Sequence, residues 1–158
     1  MIFDLDQQNE GEWFPFFESH IDDKGEIVYD DPKPDSGRVR IRSMGPVIEK
    51  QIEGRKRNYQ FALNPQSRAM ERVGYFEEIP FDQAKKDRDD VWDYVITDFE
   101  GLYDAKGKEI ECTRENKLKL IAIPMFDRFI SKCLRMLADA GVKVKEEQEK
   151  NSSSGLNG

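Results

Sequence analysis

The clearest hydrophobic periodicity lies in the C-terminal half of the chain, after Pro124. Apolar residues recur there every three or four positions, which predicts a helix with one wide buried face. Gly141 is typical of a helix C-terminus and predicts the end of this helix. The members of the stripe are Phe126, Phe129, Ile130, Cys133, Leu134 and Leu137.

Two further helices and a hairpin are predicted before this helix. Asp82 is a suitable N-cap for an amphipathic helix that runs through Phe99. Short apolar stretches then flank a glycine-containing turn between residues 101 and 111, which predicts a short hairpin. Thr113 is the predicted N-cap of the next helix, which ends before Pro124 because the residue preceding proline avoids the helical region.

The N-terminal third alternates with the period of β-strands. Residues 38–42, RVRIR, alternate strictly, so that Val39 and Ile41 share one face. Residues 11–17, GEWFPFF, predict an edge strand because Pro15 cannot donate to a ladder. Residues 22–25 predict a turn, and residues 26–29 a return strand. These strands make a small antiparallel sheet that needs a helix over its apolar face.

The middle of the chain has weaker patterns. Ser43 is the predicted N-cap of a helix with Pro46 in its first turn. Residues 58–74 are polar and predict a loop with one short helical turn. The fold class is therefore α+β: a small N-terminal antiparallel sheet and a mostly helical C-terminal part containing a short β-hairpin. We expect one domain over 1–141, β-rich over 1–42 and mainly helical over 43–141, and a charged, then Ser/Gly-rich flexible tail over 142–158.

Charge is distributed unevenly along the 158 residues, whose net charge is -7. Residues 1–37 carry 2 Lys/Arg and 11 Asp/Glu, whereas residues 38–72 carry 9 Lys/Arg and 3 Glu. The acidic arm either folds back on the basic segment or leaves two patches for partners of opposite sign. The acidic total predicts no bulk attraction to nucleic acid or to anionic membranes. No leader-like or membrane-spanning stretch is visible, so we expect an intracellular protein.

Candidate catalytic groups are few. His20 is the single histidine, and Cys112 and Cys133 have no metal-ligand spacing, so packing or solvated roles are expected. The acidic turn after Asp104 places Lys106 and Lys108 where a calcium loop needs oxygens, and it is interpreted as a hairpin tip, as is the turn at residues 22–25. No phosphate-binding glycine loop occurs. The sequence predicts no enzyme, no cofactor and no metal.

The stretch from Val91 to Leu120 is distinctive in the order of its parts. "DYVITDFEGLYDAKGKEIECTRENKLKL", followed by a proline-led helix, resembles the tail assembly chaperones of tailed phages of the long-tailed siphovirus type. The resemblance extends to "GEWFPFFES", "GRVRIRSM" and "IEGRKRNYQF", and so covers most of the chain to about residue 140.

The resemblance implies a non-enzymatic role in virion morphogenesis. Such chaperones bind the long tape measure protein, keep it soluble in the host cytoplasm and help the tail tube protein polymerise around it. Self-association is also implied, because many copies line one client. Alternative functions are a structural tail or head-tail adaptor protein of the virion, a nucleic-acid-binding regulator, and a small enzyme of unrecognised type.

Two groups of residues are candidates for partner binding on the grounds of exposure. Four clustered aromatics either dock a partner or form an ordinary strand core, and three adjacent cations are candidate polar anchors. The wider basic segment is a solvated or internally paired face, a site for an acidic protein, or a nucleic-acid site. The candidates are Trp13, Phe14, Phe16, Phe17, Arg55, Lys56 and Arg57.

Overall fold

The computed structural model describes the backbone of residues 9–156 and the side chains of residues 9–141. The fold is α+β, with an N-terminal antiparallel sheet and four helices, as the sequence predicts. The chain divides into two compact units: unit 1 is Met1–Ser43 with Trp92–Gly158, and unit 2 is Met44–Val91. The strands are β1 Glu12–Pro15, β2 Ser19–Ile21, β3 Ile27–Tyr29, β4 Arg38–Ile41, β5 Arg57–Leu63, β6 Met70–Phe76 and β7 Ile96–Glu100. The helices are α1 Gly45–Glu53, α2 Phe81–Val95, α3 Arg114–Ile121 and α4 Pro124–Leu156.

The sheet of unit 1 has the strand order β1-β4-β7, with all neighbours antiparallel. The prediction that residues 11–17 supply an edge strand is confirmed, since β1 has only β4 beside it. Val39 and Ile41 of the central strand are fully buried, as the alternation predicts. The predicted turn at residues 22–25 is also present and joins β2 to β3. The prediction that this return strand shares a sheet with residues 11–17 and 38–42 is wrong, because β2 and β3 form a separate two-stranded hairpin.

Helix α4 supplies much of the core of unit 1. Phe126, Phe129, Ile130 and Cys133 are buried along one face, which confirms the predicted stripe. Leu134 and Leu137 at its end are half-buried. The predicted cap of α3 is confirmed as well, because the Thr113 hydroxyl accepts a hydrogen bond of 3.2 Å from the backbone nitrogen of Asn116.

Unit 2 contains α1, the β5–β6 hairpin and most of α2. The prediction of a loop over residues 58–74 is wrong, because this segment forms two seven-residue antiparallel strands. The connection is a tight turn in which the Asn64 side-chain oxygen accepts from the backbone nitrogens of Gln66 and Ser67. Arg68 closes the turn in the left-handed region at φ 54°.

Four helix ends differ from the sequence predictions. Helix α2 begins at Phe81, so Asp82 lies in its first turn and the prediction of Asp82 as the N-cap is wrong. Helix α2 ends at Val95 instead of Phe99, because Ile96–Glu100 pairs with β4 and completes the sheet. The N-cap of α1 is Met44, with no side-chain capping bond, and the prediction of Ser43 is wrong by one residue; Pro46 does lie in the first turn. Helix α4 continues past Gly141 to Leu156, since a single glycine costs a helix only about 1 kcal/mol. Side chains of the predicted tail lie outside the described residues.

Candidate partner-binding surface

The N-terminal aromatic cluster packs within unit 1. The Phe16 ring lies 4.9 Å from the Phe129 ring, and the Phe17 ring lies 4.8 Å from the same ring, measured between centroids. Phe17 also meets Tyr29 edge-on at 5.8 Å. Phe16 and Phe17 therefore cover α4, and the structure favours a core role for them over partner docking.

Trp13 and Phe14 lie on strand β1 and are half-buried. The guanidinium of Arg38 lies 4.3 Å from the Trp13 ring centroid, within cation–π range. Arg38 also pairs with Glu100, and Arg40 forms an ion pair of 2.9 Å with Glu10.

These ion pairs help to decide whether the acidic arm folds back on the basic segment or leaves two patches for partners. Glu10 belongs to the acidic arm and Arg40 to the basic segment, so the arm supplies an internal partner for β4. Arg42 is also engaged internally, since its guanidinium stacks at 3.7 Å on the Tyr94 ring and donates to the Tyr94 carbonyl. The basic residues of β4 are thus an internally paired face.

The predicted cations Arg55, Lys56 and Arg57 belong to unit 2 and are exposed. Arg55 and Lys56 line an open depression of about 520 Å³ within unit 2, whose rim also includes Glu77 and Glu78. The cations and the aromatic cluster therefore belong to different units, and the predicted partner-binding residues form no single cluster within either unit.

Most of the exposed large hydrophobic side chains of unit 2 lie on the β5–β6 hairpin, which sequence reasoning missed. In an antiparallel pair, residues directly opposite one another point to the same side of the sheet. The register therefore puts alternate residues of both strands on one side, which we call the open face. The open face consists of Arg57, Tyr59, Phe61, Leu63, Met70, Arg72, Gly74 and Phe76.

Side chains on the open face are largely uncovered. Phe61 is 70% exposed, Leu63 and Met70 are each 62% exposed, and Tyr59 is 55% exposed. On the opposite side Asn58 and Ala62 are half-buried, whereas Val73 and Tyr75 are each 43% exposed, close to the 40% of Phe76 on the open face. Adjoining exposed apolar side chains make the open face the candidate interaction surface of unit 2, whereas single ones need no explanation.

Two arginines of the open face contact its aromatic rings. The Arg72 guanidinium lies 3.9 Å from the Tyr59 ring centroid, and that of Arg57 lies 5.1 Å from the Phe76 ring centroid. Both pairs are cation–π contacts, which hold the aromatic rings and the charges in one layer. A Cβ at Gly74 would meet the Tyr59 ring at 3.4 Å, so glycine leaves room for that ring over β6. The surface can bind an apolar segment whose flanks carry carboxylates.

A sequence signal for the hairpin exists in the alternation of Tyr59, Phe61 and Leu63. It is followed, after Asn64-Pro65, by a second alternation at Val73 and Tyr75, which lie on the side opposite the open face. Two alternating runs around a turn-forming dipeptide are typical of a hairpin. The polar residues between the two runs obscure this pattern.

The candidate catalytic side chains have ordinary surroundings. His20 lies 3.5 Å from Asp30 on an exposed surface. Burial raises the pKa of the Cys133 thiol to about 12, so this thiol stays protonated at neutral pH. Burial also raises the pKa of the half-buried Cys112 thiol, although Lys117 opposes the shift.

Both glycine-containing acidic turns are hairpin tips, as predicted. Asp104 accepts from the backbone nitrogens of Lys106 and Lys108, and Asp22 accepts in the same way from Lys24 and Glu26. Within the residues that the structure describes, no three His, Cys, Asp or Glu side chains come together as metal ligands. No helix in the described part of the chain has the length and apolarity needed to cross a membrane.

The chain matches no protein-family model, no curated protein and no solved structure.

Proposed function

We propose that this protein is a tail assembly chaperone that binds the tape measure protein of a tailed phage in the host cytoplasm, without catalysis. The observation that carries the proposal is the open face, a contiguous apolar and aromatic surface on a hairpin whose strands are exposed along most of their length. A two-stranded hairpin is only marginally stable alone in water. A partner that covers the open face removes its apolar side chains from water, so the complex has a lower free energy than the separate proteins.

The chemistry of the open face suits an amphipathic helical client. Tyr59, Phe61, Leu63 and Met70 offer apolar contact for a helix stripe, and burial of each large side chain contributes roughly 1.5–3 kcal/mol. Arg57 and Arg72 pair with carboxylates beside that stripe. A tape measure protein is long and helical, and its uncovered stripes aggregate. A chaperone for it needs this combination of apolar cover and charge.

Reversible binding is part of the proposal, because the client must later be released to the tail tube protein. The open face is one hairpin wide, and the whole sequence carries a net charge of -7. The complex therefore stays soluble while each copy contributes a modest affinity. The motif order of residues 91–120 supports the same client through its resemblance to tail assembly chaperones.

Co-expression with the tape measure protein of the same phage tests this function. The double variant Met70→Ser/Phe76→Ser removes two apolar side chains from the open face. The matched control Val73→Ser/Tyr75→Ser changes two side chains on the opposite side of the same strand. We expect the wild-type chain and the control to keep the client soluble and to co-purify with it. The open-face variant should bind at least roughly tenfold more weakly, because burial of each large apolar side chain against the client contributes roughly 1.5–3 kcal/mol.

Three outcomes would contradict the proposal. One is that the wild-type chain leaves the client insoluble, and another is that both double variants bind equally well. The third is that the open face binds a labelled single-stranded oligonucleotide with an affinity that Arg72→Gln lowers, which would favour the nucleic-acid-binding alternative. Recovery of the protein from purified virions would instead favour a structural tail or head-tail adaptor.

A further inference from the structure

The hairpin of unit 2 has an unpaired strand edge on each side. Among residues 9–156 its sheet contains β5 and β6 alone, so each strand has one described neighbour. At the two ends of the hairpin, Asn64 N donates to Ala69 O at 2.9 Å and Glu77 N donates to Lys56 O at 3.1 Å. Hydrogen-bonded positions alternate along a strand, so the even-numbered residues of β5 bond inward to β6. The odd-numbered residues 57, 59, 61 and 63 therefore direct their N–H and C=O groups to the free edge.

The sequence of this edge is self-complementary in the antiparallel sense. When Gln60 faces Gln60 of a second copy, Tyr59 lies opposite Phe61, and Arg57 lies opposite Leu63. Each of these opposed pairs consists of odd-numbered residues, whose N–H and C=O groups point outward. The two residues of a pair can therefore exchange the two hydrogen bonds that an antiparallel ladder requires. Aromatic pairs across strands contribute roughly 0.2–1 kcal/mol each beyond the backbone bonds.

Charge favours β5 over β6 as the pairing edge. In the β5 register the Arg57 side chains of the two copies are separated by about six residues, or about 20 Å along the strands, which exceeds the Debye length at physiological salt. The equivalent register of β6 places Arg72 opposite Gly74. The two Arg72 side chains would then be only about two residues, or about 7 Å, apart along the strands. Like charges this close destabilise a cross-strand pair.

We propose that a second copy of this chain docks on the free edge of β5, giving a four-stranded antiparallel sheet with its two-fold axis at Gln60. The axis is perpendicular to the sheet, so the open faces of both copies lie on the same side and form one doubled surface. Four strands also meet the size that a sheet needs for independent stability, which two strands do not. This inference concerns the chain alone and does not depend on the identity of the client.

Cysteine crosslinking tests the register. In the proposed dimer, Gln60→Cys places two thiols directly opposite each other, within the Cα separation that a disulfide spans. Ala62→Cys is the matched control, because residue 62 lies opposite residue 58 and the two introduced thiols are about 13 Å apart along the strands. We expect rapid oxidative dimerisation of the first variant alone, with the wild-type chain as the control for Cys112 and Cys133.

A charge exchange tests the interface without a covalent bond. Sedimentation of the wild-type chain should give about twice the 18.4 kDa of one copy. Gln60→Lys and Gln60→Glu should each weaken the dimer roughly tenfold or more, since like charges meet on the axis, and an equal mixture of the two should restore it. Restoration also shows that both variants fold.

Several results would overturn the proposal. They are a wild-type chain that stays monomeric up to millimolar concentration, crosslinking of Ala62→Cys as fast as Gln60→Cys, and crosslinking through Val73→Cys, which marks the β6 edge. A mass that grows beyond two copies with concentration would also contradict it, because it indicates open-ended association of β5 with β6. Loss of client binding by a variant that still dimerises bears on the proposed function alone.

Discussion

Unit 1 and unit 2 use their apolar side chains in opposite ways. Among the described residues, every fully buried hydrophobic side chain belongs to unit 1, where α4 packs on strands of both sheets. Unit 2, all of which the structure describes, contains no buried residue, yet it holds most of the exposed large hydrophobic side chains. A protein that only needed stability would bury these side chains. The difference agrees with the proposal that unit 2 contacts a partner while unit 1 supplies the stable core.

The largest expected effect comes from removing an aromatic ring from the core of unit 1. Phe129 is 1% exposed and contacts the rings of Phe16, Phe17 and Phe126. Phe129→Ala leaves a cavity among these rings and should lower the free energy of unfolding by about 3–5 kcal/mol. Urea denaturation followed by circular dichroism measures this loss. A loss under 1 kcal/mol would show that the core of unit 1 is not better packed than unit 2.

A partly buried ion pair gives the second effect, also in unit 1, and its Asp93 carboxylate accepts from Arg114 at 3.1 Å as well. Lys117 is 9% exposed, and its ammonium donates to the Asp93 carboxylate at 3.1 Å and to the Asp93 carbonyl at 3.2 Å. Asp93→Ala leaves this ammonium without its carboxylate and should cost roughly 1–3 kcal/mol. Asp93→Asn retains an oxygen acceptor and should cost less. Equal losses for the two variants in urea denaturation would mean that the charge does not matter.

The third effect appears as a pH dependence. The pKa of the Cys133 thiol rises from an ordinary value of 9.0 to about 12 because the thiol is buried, so the unfolded chain releases this proton first as pH increases. The thiol therefore contributes stability below pH 9, and the contribution declines by about 1.4 kcal/mol per pH unit between about pH 9 and pH 12. Cys133→Val keeps an apolar side chain and should flatten this part of the profile. Parallel profiles for the two proteins above pH 9 would contradict the prediction.

Local signals in the sequence predicted unit 1 better than unit 2. The stripe of α4 and the Thr113 cap depend on neighbours within one or two helical turns, and both were correct. Strand β7 was missed because Val91, Val95 and Phe99 also fit a helical period. Its real determinant is pairing with β4, more than fifty residues earlier in the chain. Tertiary contacts of this kind override local propensity.

The candidate site was predicted only in part, for a related reason. Arg57 is on the open face, but Phe16 and Phe17 pack against α4. Exposure of an aromatic side chain depends on which segment covers it, and no periodicity in residues 13–17 specifies that α4 does so. The sequence pattern that underlies the open face is an alternation of moderate length. It becomes recognisable as a surface only when the register of β5 and β6 brings both strands onto one side.

The smallest expected effect on stability is the sharpest test of the contrast between the units. Phe61 is a large aromatic residue like Phe129, but it is 70% exposed, so Phe61→Ser removes little buried area. At concentrations below dimerisation, the free energy of unfolding should change by no more than about 0.5 kcal/mol. Binding of a fluorescent apolar dye should nevertheless fall, whereas Tyr103→Ser, at an exposed aromatic of unit 1, should leave dye binding unchanged. A destabilisation approaching that of Phe129→Ala would mean that the hairpin is covered within a single copy. The apolar side chains of unit 2 would then serve the fold instead of a partner.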